Sequence, residues 1–181
     1  MIIHKYKKIF IHIPKNAGTS INKYFSNEWG DKLSIQADKH ATIHEMKNKF
    51  PNACKNYDKF AVVRNPYDRM VSYYFYLKRQ ALKHIKGYGR STVNYNIIEF
   101  KKWVDEPRQF WYDPLHYLDC QCDWLDDTVK IIKYENLQND INKLFKKEIV
   151  LPVENTTDHD HYSEYYDNYT SNSVYERFKK D

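Results

Sequence analysis

A lysine, a glycine and two hydroxyl side chains near the N-terminus have the types and spacing of an anion-binding loop. Lys15 offers a positive charge, Gly18 lets the backbone approach an anion closely, and Thr19 and Ser20 offer hydroxyl groups. The apolar segment 9–13 before them is typical of a buried strand, and a helix is predicted from about Gly18. Because the N–H groups of a helix N-terminus attract negative charge, the segment predicts a phosphate-binding site.

The order of these residues differs from that of the common ATP-binding loop. In the Walker A pattern the lysine directly follows the second glycine, whereas Lys15 comes before Gly18. The chain also has no clear carboxylate after a strand to hold a magnesium ion. These departures argue against a nucleotide kinase or NTPase, which stays the less favoured alternative.

A second cation follows the next apolar strand. Phe60–Val63 is short and apolar, and Arg64 comes directly after it, before an Asn-Pro pair. Asparagine at the N-cap and proline at the first helical position predict a long helix to about residue 86. Because the loops after two parallel strands share the carboxyl edge of a sheet, we expect Lys15 and Arg64 to face one crevice.

These strand–loop–helix units predict an α/β fold, since each helix must cross back over a parallel sheet. A third strand is predicted at Thr128–Ile132, followed by an amphipathic helix to about Lys147. A capping-box pattern, Ser173 with Glu176, predicts a last helix at Ser173–Lys180. The length of 181 residues predicts one domain over residues 1–181.

Composition limits the class of protein. The 29 basic and 24 acidic residues give a net charge of +5 and a pI near 8.9, which suits an anionic ligand. No apolar run is long enough to span a membrane, and the N-terminus does not have a signal-peptide pattern. We therefore expect a soluble protein with no nucleic-acid partner. Three cysteines, an odd number, predict reduced thiols and a cytoplasmic location.

Two segments together resemble the cofactor-binding motifs of sulfotransferases. They are residues 11–20, IHIPKNAGTS, and residues 63–72, VRNPYDRMVS, with weaker matches at Tyr134–Leu137 and at Tyr162. The resemblance is nearest to the Golgi-type carbohydrate enzymes, such as the uronyl 2-O- and the chondroitin and HNK-1-like sulfotransferases. It implies a P-loop-like three-layer α/β/α sandwich with a small parallel sheet. It also implies that the donor is 3′-phosphoadenosine 5′-phosphosulfate (PAPS).

The resemblance assigns donor-binding roles by position. Lys15 would lie near the bridging oxygen that leaves, and Arg64 and Ser72 would hold the 3′-phosphate. The 5′-phosphosulfate would be held by the whole first loop, namely Lys15, Asn16, Ala17, Gly18, Thr19 and Ser20. Arg69 is interpreted as a structural residue that braces neighbouring segments.

A transfer to a hydroxyl needs a general base, and three residues are candidates. His40 lies between the two donor loops in sequence and resembles the position of the catalytic histidine in uronyl 2-O-sulfotransferases. Glu45 is the rival, because other branches of the superfamily use glutamate. Its capping-box pattern with Thr42 already explains it, however. His44 is a weaker third candidate.

The acceptor is expected to be a small molecule or a glycan. Trp103 and Trp111 are candidates for a sugar-stacking surface, and His116 and Glu45 are candidates for acceptor binding, although aromatic clusters more often serve packing. Cys120 and Cys122 with nearby histidines suggest zinc, but their spacing is uncommon for zinc and the chemistry needs no metal, so no metal site is predicted. A non-catalytic module that binds nucleotides or sulfated glycans on the same fold stays open as an alternative.

Overall fold

The computed structural model describes residues 1–29, 34–35, 40–85, 99–105 and 118–181. This part of the chain forms two compact units, each made of two separate segments. Unit 1 comprises residues 1–64 and 120–155, and unit 2 comprises residues 65–119 and 156–181. The expectation of a single domain over residues 1–181 stays a prediction. No helix in the described ranges has the length and apolar character needed to cross a membrane.

Unit 1 contains a five-stranded sheet in the order β3-β1-β2-β4-β5. The strands are β1 Ile2–Ile3, β2 Lys8–Ile11, β3 Ser34–Ile35, β4 Asp58–Val63 and β5 Val129–Lys133. β2, β4 and β5 run parallel, whereas β1 runs antiparallel to both of its neighbours. The carboxyl ends of the three parallel strands therefore lie at one edge of the sheet.

The helices of the described residues connect these strands and build unit 2. In chain order they are α1 Gly18–Trp29, α2 Ile43–Lys49, α3 Pro51–Asn56, α4 Pro66–Ile85, α5 Phe100–Asp105, α6 Leu137–Phe145 and α7 Asn168–Phe178. α2 begins with the predicted capping box: Thr42 accepts from the Glu45 N–H, and the Glu45 carboxylate accepts from the Thr42 N–H at 2.7 Å. α4 begins as predicted after Asn65, whose side chain accepts from the Tyr67 N–H.

Helices cover both faces of the sheet, as the alternation of strand side chains requires. One face packs against α2 and α3 through a buried cluster that includes Ile9, Ile11, Ala61, Ile43 and Met46. The other packs against α1 and α6 through a cluster that includes Phe10, Phe60, Val62, Ile21 and Ile141. The three-layer α/β/α arrangement predicted from the resemblance is confirmed, with an antiparallel β1 that the sequence did not predict.

Unit 2 is helical, and its contacts confirm the structural interpretation of Arg69. Arg69 is only 2% exposed, donates to the Asp119 carbonyl at 2.9 Å and lies over the ring of Phe178. Buried side chains of α4 and α5 pack together, among them Trp103, which contacts Tyr73 and Tyr74. Trp103 is therefore a packing residue of this unit, and the sugar-stacking hypothesis is wrong for it.

The predicted start of the last helix is wrong. α7 begins at Asn168, and its N-cap is Asp167, whose side chain accepts from the Thr170 N–H. Ser173 lies inside the helix, where its hydroxyl donates to the Asp105 carboxylate at 2.9 Å. A tertiary hydrogen bond, rather than a helix cap, explains this serine.

Candidate active site

The loop between β2 and α1 has a backbone shape suited to an anion. Lys15 and Ala17 adopt left-handed conformations, with φ of 69° and 58°, on either side of Asn16, which does not. Alternation of this kind turns successive backbone N–H groups toward one side, as in anion-binding nests. Each left-handed non-glycine residue costs about 1–2 kcal/mol. Two such residues thus lie within three positions of each other in the loop that the sequence predicts to bind phosphate.

The start of α1 adds further donors to this loop. The Ile21 N–H donates to the Ala17 carbonyl at 3.1 Å, and this bond closes the first helical turn. The N–H groups of Gly18, Thr19 and Ser20 precede that bond and so have no acceptor within the helix. Together with the half-buried Lys15, they make this end of α1 electropositive.

The side chain of Asn16 is hydrogen-bonded inside the protein rather than directed at a ligand. It is 1% exposed, and its carboxamide donates to the Val62 carbonyl at 2.8 Å and to Gln121 Oε1 at 2.6 Å. The amide nitrogen of the side chain is therefore used inside unit 1, and the backbone N–H is the group of Asn16 suited to an anion.

Gly18 is needed because the ring of His12 occupies the space beside it. A Cβ built on Gly18 would lie 1.8 Å from His12 Nε2, far inside van der Waals contact. His12 itself is 5% exposed, stacks on Phe10 and contacts Asn22 through Nδ1. The imidazole of His12 thus sets how closely α1 approaches the end of β2.

Arg64 joins the second loop to the first, as the sheet topology predicts. Its guanidinium donates to the Lys15 carbonyl at 3.2 Å. The same guanidinium lies over the ring of Tyr134, with Cζ 4.2 Å from the ring centroid. Lys15 and Arg64, 49 positions apart in sequence, are therefore brought together in unit 1.

His40 lies next to this loop with a defined tautomer. Its Nδ1 is 3.1 Å from the His12 carbonyl oxygen, and its ring centroid is 4.4 Å from that of His12. A carbonyl can only accept, so Nδ1 carries the proton of the neutral ring. The Nε2 lone pair is then the basic position of His40.

The other predicted site residues have different surroundings. The carboxylate of Glu45 accepts from both the N–H and the hydroxyl of Thr42, so it serves the start of α2. Ser72 is buried on α4 in unit 2. Trp111 and His116 lie outside the described residues, and their roles stay predictions.

Tyr134 is a site residue that sequence reasoning matched only weakly. It follows β5 directly, at the same carboxyl edge as Lys15 and Arg64, and this position after a parallel strand was the available signal. Gln121 was missed altogether, because it lies between two cysteines whose spacing drew attention to metal binding instead.

A model of a known protein family matches the chain along its whole length. A family model described as "Sulfotransferase family" matches the chain over residues 1–181. The matched range includes the Lys15 loop, Arg64, His40 and Tyr134. No curated protein and no solved structure matches the chain.

Proposed function

The chain belongs to the sulfotransferase family, and we propose that it transfers a sulfuryl group from PAPS to a hydroxyl of a carbohydrate acceptor. The observation that carries the donor assignment is the hydrogen bond from the Arg64 guanidinium to the Lys15 carbonyl. It joins two cationic loops at the carboxyl edge of the sheet. A ligand with two separate anionic groups, such as PAPS, suits this pair better than a single phosphate does.

The Lys15 loop is proposed to hold the 5′-phosphosulfate. The left-handed residues Lys15 and Ala17 form the backbone cradle, and the bare Cα of Gly18 admits the His12 ring beside the start of α1. When bound, the donor supplies a sulfuryl group whose transfer leaves negative charge on the 5′-phosphate. The Lys15 ammonium and the first N–H groups of α1 stabilise that charge more in the transition state than in the ground state.

Arg64 is proposed to hold the 3′-phosphate. Its planar guanidinium offers paired donors that match phosphate geometry, and the ring of Tyr134 lies against it, 4.2 Å from Cζ. The resemblance also assigns Ser72 to this phosphate. Ser72 belongs to unit 2, so this assignment stays a prediction from the motif.

His40 is proposed as the general base. Its Nδ1–H donates to the His12 carbonyl, so Nε2 is the basic ring nitrogen that we propose accepts the proton of the acceptor hydroxyl. The contact with the His12 ring holds the imidazole in place. Glu45 is the weaker candidate, since its carboxylate already accepts two hydrogen bonds from Thr42.

Calorimetric titration with the product 3′-phosphoadenosine 5′-phosphate (PAP) tests the donor site. We expect wild type to bind, Lys15→Ala and Arg64→Ala to bind much more weakly, and Lys130→Ala to bind like wild type. Lys130 is exposed on β5 and serves as the control for loss of one positive charge. A wild-type protein that does not bind PAP but binds ATP with magnesium would contradict the proposal.

Transfer is tested next with radiolabelled PAPS and a set of mono- and oligosaccharides. Labelled product from a sugar acceptor supports the enzyme, and the acceptor that labels fastest defines the substrate class. PAP binding without transfer to any acceptor favours the non-catalytic binding module instead.

A further inference from the structure

Gln121 lies between the two cationic loops of unit 1. It begins the short 3-10 turn Gln121–Trp124 and is 3% exposed. Its Oε1 accepts from the Arg64 N–H at 2.9 Å and from the Asn16 carboxamide at 2.6 Å. Its Nε2 donates to the Arg64 carbonyl at 2.9 Å. One side chain thus contacts both loops.

We propose that Gln121 is a positioning residue of the donor site, which fixes the Lys15–Asn16 loop relative to Arg64. The inference rests on the proposed function for its catalytic consequence. Gln121 acts through its neighbours and is not required to touch the donor.

The pairing of Gln121 with Arg64 resembles the pairing of two strands. A carboxamide has the same donor and acceptor as a peptide group, and here it bonds to both backbone groups of one residue. Arg64 lies one residue beyond β4, where the ladder with β5 has ended at Val63. Gln121 therefore continues the backbone pairing past the end of the strand and bonds to both the N–H and the carbonyl of Arg64.

Asn16 extends the same network to the Lys15 loop. Its carboxamide nitrogen donates to the Val62 carbonyl and to Gln121 Oε1, so the loop is attached directly to β4 and, through Gln121, to Arg64. Buried hydrogen-bond networks of this kind restrict the groups they join to one arrangement. The residue at this junction also carries no charge, so it does not itself neutralise the positive charge of Lys15 or Arg64.

Glutamine suits this role better than a carboxylate does. An ionised carboxylate accepts hydrogen bonds only, so it would lose the bond to the Arg64 carbonyl. It would also place a negative charge beside a site for an anionic donor. Gln121→Glu keeps the shape of the side chain, and Gln121→Met keeps its length without any strong hydrogen bond.

The test compares these variants with Leu125→Ala. Leu125 directly follows the same turn and packs against the apolar cluster of β2, α2 and α3, so its truncation destabilises the region without touching either loop. The measurements are PAP affinity by calorimetry, kcat and KM for PAPS, Tm, and amide hydrogen exchange of residues 15–18.

We expect Gln121→Met to weaken PAP binding and raise the KM for PAPS at least about tenfold, and Gln121→Glu to weaken binding further. The amide hydrogens of residues 15–18 should exchange faster in Gln121→Met than in wild type. Leu125→Ala should keep PAP affinity within about twofold of wild type, even if its Tm falls as much as that of Gln121→Met. Wild-type affinity and exchange in Gln121→Met, or equal losses in Leu125→Ala, overturn the inference.

The exchange measurement separates this inference from the proposed function. Wild type that binds no PAP overturns the donor assignment, whereas faster loop exchange in Gln121→Met then still supports the positioning of the loop. Wild type that binds PAP, with a Gln121→Met variant that binds it equally well, overturns only the role of Gln121.

Discussion

The guanidinium of Arg64 lies over the ring of Tyr134, with Cζ 4.2 Å from the ring centroid. The face of an aromatic ring attracts a cation, so Tyr134 favours this position of the guanidinium. Nη1 of the same guanidinium donates to the Lys15 carbonyl. The Tyr134 ring, the Arg64 guanidinium and the Lys15 loop are therefore connected in unit 1. The position of the guanidinium thus depends on a residue that follows a third strand.

Removal of the Tyr134 ring should weaken donor binding. A cation–π contact of this kind contributes about 0.5–2 kcal/mol, so we expect Tyr134→Ala to weaken PAP binding by about 2- to 30-fold. Tyr134→Phe keeps the ring face and should bind within about twofold of wild type. Calorimetry of both variants checks this, and equal losses in both would move the role from the ring to the hydroxyl group.

Substitution of His40 should slow transfer without affecting donor binding. General-base catalysis contributes typically about 10²–10⁴-fold, so His40→Ala should lower kcat by that factor while PAP affinity stays near that of wild type. The matched variant Glu45→Gln keeps a side chain that can still accept in the capping box, and we expect it to retain activity. Loss of activity in Glu45→Gln alone would assign the base to Glu45.

Gly18→Ala should destabilise the fold through a single neighbour. The added methyl meets the His12 ring, and overpacking of this kind costs about 1–3 kcal/mol of unfolding free energy. In a His12→Ala background the space is open, so the same substitution should cost less than about 0.5 kcal/mol. Urea unfolding of the four proteins measures both values. Equal costs in the two backgrounds would mean that another contact requires glycine.

Asp126 should make the protein more stable at neutral than at acidic pH. Burial acts to raise the pKa of this carboxyl, but hydrogen bonds from Lys47 at 2.5 Å and from Thr128 outweigh it and hold the pKa at about 2. A lowered folded-state pKa stabilises above the unfolded value of about 4, and the contribution is lost as pH falls toward 2.

Asp126→Asn tests this pH dependence. We expect the unfolding free energy of Asp126→Asn at pH 7 to be about 1–2 kcal/mol lower than that of wild type. This difference should shrink as the pH falls from about 4 to about 2. Asp127→Asn, on the exposed neighbouring residue, is the control and should change stability little. Chemical denaturation across this pH range provides the measurement. A difference that is independent of pH would contradict the role of the ion pair.

Local signals in the sequence predicted the elements that carry the first two loops. The start of α1 at Gly18, the capping box of Thr42 and the start of α4 at Pro66 each depend on residues within one helical turn. The approach of Lys15 to Arg64 also followed from the sequence, because parallel strands with helical crossovers must place their loops at one edge.

The remaining features depend on contacts that the sequence does not display. Gln121 is 57 positions from Arg64 and 105 from Asn16, so no local pattern relates them. β1 is only two residues long, too short for a periodicity. The N-cap residue Asp167 pairs with Thr170, whereas the usual capping box has Glu or Gln at that position. The sequence pattern therefore favoured a helix start at Ser173, which does have a Glu three residues later.

The order of segments along the chain also determines when the sheet can be completed during synthesis. β5 pairs with β4 in parallel, although residues 64–128 lie between these strands. The ribosome must therefore produce the first segment of unit 2 before unit 1 has all its strands. A nascent chain that pauses before residue 129 presents β4 with an open edge, which is a surface that chaperones bind and that invites aggregation.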